Sequence, residues 1–439
     1  MTKDAKTTCN FCARDETQVK RMFKGENGDA ICNECVEGCV EHGAELDGQS
    51  TPAKTASAPA PAPAPVRKLE GSEAISAAFN AVAGIVTPRE INEHLNDYVI
   101  GQKKAKRVMS VAVHNHYKRL AHDEYMDDIG LQKSNMLIIG PTGTGKTQIA
   151  QALARKIDVP FVIVDANSLT ASGYVGDDVE TILSRLIEAA DGDIELAQRG
   201  IIYIDEIDKI AMKGENMSVT LDVSGEAVQN SLLKIMEGTM SAVPVKGGGR
   251  KHPDAATHMV DTSKILFIGG GAFVGLDKII ERRLEQTSIG FGARVTTGDE
   301  RGTGDLFKHV TVVDLMKFGM KPELLGRMPV LTTLEDMDVP TLIRIMQDPK
   351  DALVSQFHRL FDLEAVELVF TDGALERIAE DALKAKTGAR GLRAMVEAIL
   401  LDDMFDLPEM EDIARIVVDV DAQGVVRTER ISSELRQAA

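Results

Sequence analysis

The sequence predicts an α/β protein in which a parallel sheet, covered by helices on both faces, is joined to a smaller, mainly helical domain and a cysteine-rich module. Between residues 69 and 334, apolar runs such as NMLIIG, FVIVDA, GIIYIDE and KILFIGG alternate with amphipathic helical stretches. Such an alternation is typical of parallel strands buried on both faces. After Pro340 helical stretches dominate, with strand-like runs at 366–370 and 414–420. All five cysteines lie within the first 40 residues.

Composition divides the 439 residues into four segments. Residues 1–46 form the predicted cysteine module. Residues 47–68 are rich in Ala and Pro, cannot bury an apolar face, and are predicted to be a disordered linker. Residues 69–334 form the predicted sheet domain, and residues 335–439 form the predicted lid domain with its C-terminal tail. At roughly 150 residues per domain, the chain is long enough for at least one large core.

The charge balance limits the partners. The chain has 68 acidic and 50 basic residues, a net charge of −18 and a pI near 5.0. Such a surface repels nucleic acid and anionic membranes, so neither is an expected partner. The N-terminus MTKDAKTT lacks an apolar signal core, and the apolar stretch 75–86 is about half the roughly 20 residues that span a bilayer. We therefore expect a cytoplasmic protein, whose clustered cysteines bind metal rather than form disulfides.

A glycine-rich motif follows the predicted strand 136–139. The eight residues that match the pattern G-x-x-x-x-G-K-T are Gly140, Pro141, Thr142, Gly143, Thr144, Gly145, Lys146 and Thr147. The glycines let backbone N–H groups cradle phosphate at the N-terminus of a helix predicted from Gln148. Lys146 is predicted to neutralise the β- and γ-phosphates, and the Thr147 hydroxyl to bind Mg²⁺. The alternative is an accidental glycine-rich turn, which the flanking strand and helix disfavour.

A second apolar strand, 201–204, ends in Asp205 and Glu206. The two carboxylates are predicted to lie at the sheet edge where the nucleotide binds. Asp205 suits Mg²⁺ coordination, directly or through water, and Glu206 suits a general base that polarises the attacking water. The alternative for an acidic pair in this position is a solvated strand end. The phosphate motif earlier in the chain favours the catalytic interpretation.

These two motifs indicate an AAA+ or related P-loop ATPase, and the segments around them resemble the ClpX family. The similar segments cover nearly the whole chain outside the linker, in family order: YVIGQ, AVHNHYKRL, GPTGTGKT, GYVGDDVE, IIYIDEIDKI, DVSGE, GRKHP, DTSKILFI, GGAF, IGFGA, PELLGRMPV and GARGLR. The resemblance implies the AAA+ fold, ATP and Mg²⁺ as cofactors, and a homo-hexameric ring. It also implies ATP-driven unfolding of tagged proteins, their translocation into the ClpP peptidase, and chaperone activity without ClpP.

The resemblance extends the nucleotide site. Val99 and Ile100 match residues that lie beside the adenine, and Arg390 matches the sensor-2 arginine that carries nucleotide state into the lid. Arg327 matches the arginine finger, which reaches the γ-phosphate of the neighbouring subunit and therefore implies an oligomer. The alternative for each arginine is a surface salt bridge.

The resemblance also implies two substrate contacts in the axial pore. Tyr174 and Val175, between glycines, match the loop that grips substrate, and such side chains can press on any polypeptide. Packing of the aromatic ring against the sheet is the alternative. Arg250, Lys251 and His252 match a loop at the pore entrance, where positive charge attracts acidic groups such as a C-terminal carboxylate. A solvated basic turn is the alternative.

A third loop is predicted to bind the peptidase. Ile289, Gly290 and Phe291 lie in a polar, Gly-rich stretch that is predicted to be a mobile loop. Two large apolar side chains on such a loop need a pocket. In the ClpX family this loop docks on ClpP, whereas the alternative is that Phe291 packs on its own domain.

The chain departs from the family pattern at three positions. Leu221 replaces the usual arginine of the second pore loop, which puts its basic contact with substrate in doubt. Gly269 follows the predicted strand 265–268 and stands where a cysteine is frequent. No side chain of the run 269–271 can serve as a polar sensor, so the sensor-1 residue is unassigned. Lys321 replaces an apolar residue, a change expected to affect only local packing.

The cysteines form two CxxC pairs with the spacing of a four-thiolate zinc site, and the four ligands are Cys9, Cys12, Cys32 and Cys35. The module is too small for a core, so zinc is expected to supply most of its folding energy, on the order of 10 kcal/mol. Cys39 and His42 lie within two turns of Cys35 and are competing ligands by position; the alternative, which we favour, is that each is packed or exposed. The resemblance implies a ClpX zinc-binding domain that dimerises and receives adaptors and substrates, and nucleic-acid binding is the alternative.

Two other functions are consistent with these motifs. The first is an unfoldase similar to HslU, which the zinc module and the IGF segment disfavour. The second is an ATP-switched assembly factor that remodels complexes without a peptidase.

Overall fold

The computed structural model describes residues 8–12, 14–15, 18–24, 30–36, 84–123, 131–170, 177–212, 225–244, 257–287, 303–409 and 412–432. The chain divides into two compact units, residues 1–67 and residues 68–439. The predicted linker, residues 47–68, lies outside the described residues. The domain boundaries at residues 46, 68 and 334 therefore remain predictions.

The first unit contains a small hairpin. Strand β1 (Met22–Lys24) pairs antiparallel with β2 (Ala30–Cys32), and a helical turn follows at residues 33–36. Among its described residues, the buried apolar side chains are Cys9, Ala30 and Cys32. So little apolar surface contributes little to folding, and a metal is the expected source of stability.

The second unit contains twelve strands and fourteen helices in its described part. The strands are β3 (Met136–Ile139), β4 (Phe161–Asp165), β5 (Leu169–Thr170), β6 (Asp177–Asp178), β7 (Ile201–Asp205), β8 (Met240–Pro244), β9 (Thr257–Asp261), β10 (Leu266–Gly271), β11 (Val330–Thr333), β12 (Glu367–Phe370), β13 (Ile413–Val420) and β14 (Val426–Ser432). The helices are α1 (Pro88–Tyr98), α2 (Lys103–Asp123), α3 (Lys146–Ile157), α4 (Val179–Ala189), α5 (Ile194–Gln198), α6 (Gly225–Glu237), α7 (Leu276–Thr287), α8 (Thr303–Phe307), α9 (Val312–Phe318), α10 (Pro322–Gly326), α11 (Val339–Gln347), α12 (Leu353–Asp362), α13 (Asp372–Lys384) and α14 (Ala389–Asp406). No helix of this part is long and apolar enough to cross a bilayer.

The central sheet has the strand order β11-β3-β10-β7-β4, and all its neighbouring strands are parallel. The carboxyl ends of the strands therefore meet at one edge. Asp165 at the end of β4 lies beside Asp205 at the end of β7, and Gly271 of β10 lies beside Ile139 of β3. The loops after these strands converge at this edge, as in open α/β sheets that bind ligands there.

Both faces of the sheet are buried. Along β7, Tyr203 packs into one hydrophobic cluster, and Ile202 and Ile204 pack into a second cluster on the opposite face. The alternation follows from the two-residue period of a strand. It explains why the strands read as continuous apolar runs, and it confirms the predicted parallel sheet with helices on both faces.

The lid segment has a separate core. Phe357 and Phe361 of α12, Leu375 of α13 and Leu400 of α14 pack with Ile416 of β13. In its small sheet, β13 pairs parallel with β12 and antiparallel with β14. The predicted helical character is confirmed, but the sequence reading missed β14. Its sequence VRTERIS is too polar for an apolar-run criterion, because this edge strand exposes several of its side chains.

Two predicted boundaries were wrong by a few residues. Helix α3 begins at Lys146, not at Gln148. Strand β10 does not end before its glycines but continues to Gly271, with Gly270 paired to Ile138. A Cβ atom at Gly270 would lie 2.0 Å from the hydroxyl oxygen of Tyr203. The glycines therefore keep the strand regular, because neighbouring side chains occupy the space beside them.

Candidate functional site

A cavity of about 540 Å³ lies at the carboxyl edge of the central sheet. It brings together most of the nucleotide residues predicted from the sequence. Those among its lining residues are Val99, Ile100, Thr142, Gly143, Thr144, Gly145, Lys146, Thr147, Asp205, Glu206 and Arg390. Residues of the lid segment, among them Met337 and Ile345, line the same cavity. A ligand held here would contact both the sheet and the lid.

The phosphate loop has the backbone conformation that its glycines permit. Gly143 and Gly145 adopt φ angles of 79° and 92°, which side-chain-bearing residues rarely adopt. Gly145 is the N-cap of α3 and supplies no side-chain oxygen to the first N–H groups of the helix. Unsatisfied N–H groups and the helix dipole favour an anion at this end. The loop therefore fits the phosphates of ATP.

Lys146 closes the phosphate loop. Its ammonium group donates hydrogen bonds to the carbonyl oxygens of Gly140 at 2.7 Å and Pro141 at 2.9 Å. Burial lowers the pKa of Lys146, and the nearby carboxylates of Asp205 and Asp208 oppose this effect. A phosphate group beside the ammonium would stabilise its charged form further.

Two side chains with oxygen atoms that could bind a metal, Thr147 and Asp205, meet at one corner of the cavity. The Thr147 hydroxyl donates to the Asp205 carboxylate oxygen Oδ2 at 3.0 Å. The second oxygen, Oδ1, accepts from the Glu206 backbone N–H at 3.0 Å and from the Tyr203 hydroxyl at 3.4 Å. Hydroxyl and carboxylate oxygens are ligands that suit Mg²⁺, which is bound through few protein groups and the phosphates of its nucleotide. This corner therefore fits the predicted metal.

Glu206 occupies a strained turn directly after β7. Its φ angle is 53°, in the left-handed region, and such strain is frequent at active sites. Its carboxylate oxygen Oε2 accepts a hydrogen bond from the Asn167 side-chain amide at 2.7 Å. Asn167 follows β4, the neighbour of β7 in the sheet. The sequence analysis missed Asn167, and its position directly after an apolar strand was the available signal.

The glycines of β10 leave room for a polar group from the adjacent strand. Tyr203 of β7 is fully buried, and its hydroxyl lies in the space beside Gly270. Burial raises the pKa of the Tyr203 phenol, so its hydroxyl stays protonated and able to donate. Tyr203 therefore adds a polar contact to those that Asp205 makes with Thr147 and the Glu206 N–H, whereas the run 269–271 offers no side chain.

Val99 and Ile100 form the apolar end of the cavity. Both side chains are buried, and both line the cavity together with Ile345 and Leu353 of the lid. A flat aromatic base fits between apolar side chains of this kind. This end of the cavity matches the adenine position that the resemblance implies.

The two predicted arginines lie in different surroundings. Arg390, in the first turn of α14, lines the cavity. Arg327 is not among the lining residues; it follows α10 and forms an ion pair with Glu237 at 2.9 Å, with both side chains about half exposed. An exposed ion pair contributes little free energy and exchanges easily. The role of Arg327 at the γ-phosphate of the neighbouring subunit therefore remains a prediction.

The four predicted zinc ligands form one cluster. Their sulfur atoms all lie within 4.8 Å of one another, with Cys9 to Cys35 at 3.9 Å and Cys12 to Cys32 at 3.6 Å. A tetrahedral ion with bonds of roughly 2.3 Å requires sulfurs about 3.8 Å apart. The distances are far longer than the roughly 2.05 Å of a disulfide. The cluster therefore fits Zn²⁺.

Backbone groups favour ionised sulfur at Cys9, whereas the side-chain hydrogen bond with Cys32 and burial raise the pKa of the Cys35 thiol. Desolvation by itself would raise the pKa of the Cys9 thiol, but backbone N–H groups of Cys12, Phe11 and Cys32 lower this pKa to about 6. The Cys32 N–H lies 3.3 Å from the Cys9 sulfur. Thiolate is the form that binds zinc, and N–H donors to sulfur orient it.

Other predicted residues lie outside the described part of the chain. They are Cys39, His42, Tyr174, Val175, Leu221, Arg250, Lys251, His252, Ile289, Gly290 and Phe291. Their roles in substrate and peptidase binding remain predictions.

Comparisons with known proteins agree with both sites. Residues 7–43 match the model of the ClpX C4-type zinc finger, residues 131–331 match the AAA domain (Cdc48 subfamily), and residues 339–418 match the C-terminal, D2-small domain of ClpB protein. The ATP-dependent Clp protease ATP-binding subunit ClpX of Treponema denticola is 46% identical over 411 residues, which cover 94% of this chain and 92% of that protein. The predicted ATPase activity and the cofactors ATP, Mg²⁺ and Zn²⁺ are thereby confirmed. The chain belongs to the ClpX family of AAA+ ATPases.

Proposed function

We propose that this chain is an ATP-driven protein unfoldase that assembles into a homo-hexamer and passes unfolded polypeptide to the ClpP peptidase. The observation that carries the proposal is the shared lining of the cavity, to which the sheet contributes Lys146 and Glu206 and the lid contributes Met337 and Arg390. A nucleotide in this position links hydrolysis to the orientation of the lid. The similar protein of Treponema denticola is named as the ATP-binding subunit of a Clp protease.

The residues around the phosphate positions each have a task in this proposal. When bound, ATP with Mg²⁺ supplies the phosphoanhydride whose hydrolysis drives the motion. Lys146 and the N-terminus of α3 hold the phosphates, and Thr147 and Asp205 would hold the metal. Glu206, fixed by the Asn167 amide at 2.7 Å, orients the attacking water and accepts its proton.

The phosphate loop and the lid are in close contact. A Cβ atom at Gly143 would lie 2.7 Å from the carbonyl oxygen of Thr387, in the loop that precedes α14. Arg390 lies about one turn after Thr387 along the chain and lines the cavity. Changes at the γ-phosphate are therefore expected to move α14 and with it the lid. This supports the sensor-2 role proposed for Arg390.

The ring, the pore and the adaptors complete the proposal. Arg327 would act on ATP bound in the neighbouring subunit, which requires an oligomer. Tyr174 and Val175 would grip substrate in the pore, and Arg250, Lys251 and His252 would attract acidic groups at its entrance. With Leu221 in the second pore loop, we expect substrate choice to differ from that of relatives with arginine there. The zinc module would receive adaptors, and chaperone activity would persist without ClpP.

A reconstituted degradation assay tests the proposed partnership. The chain is mixed with ClpP, ATP and a stably folded, tagged substrate, and the substrate is followed by gel electrophoresis. We expect ATP-dependent degradation. Unfolding without degradation would instead support an assembly factor that works without a peptidase, and failure with ClpP but degradation with an HslU-type peptidase would support the HslU-like alternative.

The substitution Phe291→Ala is expected to abolish ClpP binding and substrate degradation while ATP hydrolysis and unfolding continue. The reason is that several loops dock at once, so each weak apolar contact multiplies through the ring. Association with ClpP can be measured by sedimentation, alongside the degradation rate. Phe11→Ala is a control for ClpP association, because Phe11 is an exposed phenylalanine outside the proposed docking loop. Undiminished ClpP-dependent degradation by the Phe291 variant would remove this loop from the docking role.

A further inference from the structure

One buried side chain joins the adenine end of the cavity to the start of the lid. The Gln102 side chain is 6% exposed and pairs with the backbone of Glu335, which is 233 residues away in the chain. Its amide nitrogen donates to the Glu335 carbonyl oxygen at 2.9 Å, and its amide oxygen accepts from the Glu335 N–H at 2.8 Å. The reverse amide orientation would place donor against donor, so the two bonds fix the orientation.

The backbone at Gln102 adopts a conformation that its own side chain does not favour. Gln102 has a φ angle of 50° and Gly101 has one of 67°. Two successive residues therefore adopt the left-handed conformation between the 99–100 segment and α2. Glutamine gains nothing from this conformation, and surrounding contacts must maintain it. The turn begins directly after Val99 and Ile100, the residues at the apolar end of the cavity. Lys106 of α2 fixes the same segment by donating to the Val99 carbonyl at 2.8 Å.

Glu335 lies at the point where the chain leaves the central sheet for the lid. The preceding Leu334 N–H still bonds to the Ile139 carbonyl of β3 at 2.8 Å. The Asp336 carboxylate accepts from the Gly304 N–H at 2.7 Å, which ties it to α8. Met337 lines the cavity, and α11 begins at Val339. The chain is therefore held as far as Asp336 and can turn only over the short stretch before α11.

The other side-chain contacts between the sheet segment and the lid segment are exposed, and a backbone bond from the Lys350 N–H to the Asp97 carbonyl at 2.9 Å accompanies them. Lys350 forms an ion pair with Asp97 at 2.8 Å, but both side chains are well exposed. Gln148 and Asp351 are 3.4 Å apart and also exposed. Exposed polar contacts exchange readily with water, whereas a buried amide that loses its partners is costly. The pair of Gln102 and Glu335 is thus the side-chain contact expected to persist while the lid turns.

We propose that Gln102 is a positioning residue that couples base binding at Val99 and Ile100 to Glu335, the anchored residue just before the pivot of the lid at 337–338. The inference rests on the proposed nucleotide site. A base that packs against the 99–100 segment fixes the turn at Gln102, and the two hydrogen bonds transmit this order to the pivot. Removal of the two bonds uncouples lid orientation from nucleotide binding.

The substitution Gln102→Met tests this role, because it keeps the length and apolar volume of the side chain but removes both hydrogen bonds. We expect the KM for ATP to rise about tenfold, because without these bonds the 99–100 segment would be ordered for the base in only about a tenth of the molecules. We expect kcat to stay within about twofold, because the phosphate loop and Glu206 are unchanged. In the wild type, ATP should slow hydrogen exchange of the backbone amides around Glu335. In the variant this protection should be lost even at saturating ATP.

Gln229→Met is the matched control. Gln229 is also a fully buried amide with backbone partners: it donates to the carbonyls of Ile210 at 2.8 Å and Gly319 at 3.3 Å, and it accepts from the Lys321 N–H at 2.8 Å. It does not line the cavity. We expect this variant to have a lower Tm but an unchanged KM and unchanged protection at the pivot.

A Gln102→Met variant with a lower Tm, wild-type KM and wild-type protection by ATP would show that Gln102 is only structural. Should this variant not fold, Gln102→Glu provides the same readout, since its carboxylate accepts from the Glu335 N–H but repels the Glu335 carbonyl. Lys146→Ala separates a failure of the coupling by Gln102 from a failure of the nucleotide site. Loss of ATP binding in Lys146→Ala together with a silent Gln102→Met would overturn only the coupling, whereas ATP binding by Lys146→Ala would overturn the nucleotide site.

Discussion

Glu206→Gln is expected to bind ATP as tightly as the wild type and to hydrolyse it about 100-fold more slowly or worse, because an amide cannot accept the proton of the attacking water. The amide keeps the shape of the side chain, so ring assembly should also persist. Phosphate release measures hydrolysis, and a fluorescent ATP analogue measures binding.

Asn167→Ala should have a smaller effect in the same direction, about tenfold, since Asn167 only orients Glu206 through its bond of 2.7 Å. Glu195→Gln, at a carboxylate in the first turn of α5, is the matched control and should hydrolyse ATP at the wild-type rate. A Glu206→Gln enzyme within a few-fold of the wild-type turnover would remove Glu206 from its role as general base.

Loss of one zinc ligand is the second large effect. Cys9→Ser and Cys35→Ser should each abolish zinc binding and unfold the first 45 residues, because the metal supplies on the order of 10 kcal/mol to a module with almost no apolar core. ATP hydrolysis should continue, since the Ala/Pro-rich segment is expected to uncouple the module from the ATPase. Metal content, proteolysis of the N-terminal segment and phosphate release provide the three readouts.

Cys39→Ser is the control for this experiment, because Cys39 stands outside the two CxxC pairs. It should retain one zinc ion per chain. Purified wild-type protein without zinc, or a Cys39 variant that loses its metal, would contradict the assignment of the four ligands.

The parts of the fold and site that sequence predicts are those set by local pattern. The phosphate loop directly follows one apolar strand, and Asp205 and Glu206 stand at the end of another. In each case a short stretch of sequence contains the strand, the turn and the functional group. The CxxC pairs likewise fix ligand spacing within a few residues. The structure places these groups together at one edge of the sheet and in one sulfur cluster.

The features that sequence did not predict depend on contacts between distant segments. Asn167 reaches Glu206 because β4 lies beside β7, and Gln102 meets Glu335 across 233 residues. In the sequence, Tyr203 is an ordinary residue of an apolar strand. Its polar role depends on Gly270 of the adjacent strand, which leaves space for the Tyr203 hydroxyl. The pattern of a single sequence indicates the order of strands in a sheet only indirectly. Contacts between side chains of distant segments can therefore be identified only from the three-dimensional structure.

The most direct test of the central claim is the ATP-dependent unfolding of a folded protein by the purified chain alone. A stably folded fluorescent protein with an unstructured C-terminal tag is incubated with the chain, and a trap captures the unfolded product. We predict that fluorescence falls with ATP but not with ADP, and that Glu206→Gln leaves it unchanged. Persistent fluorescence while the wild type hydrolyses ATP and binds the tagged protein would contradict the proposal that hydrolysis at this site drives unfolding.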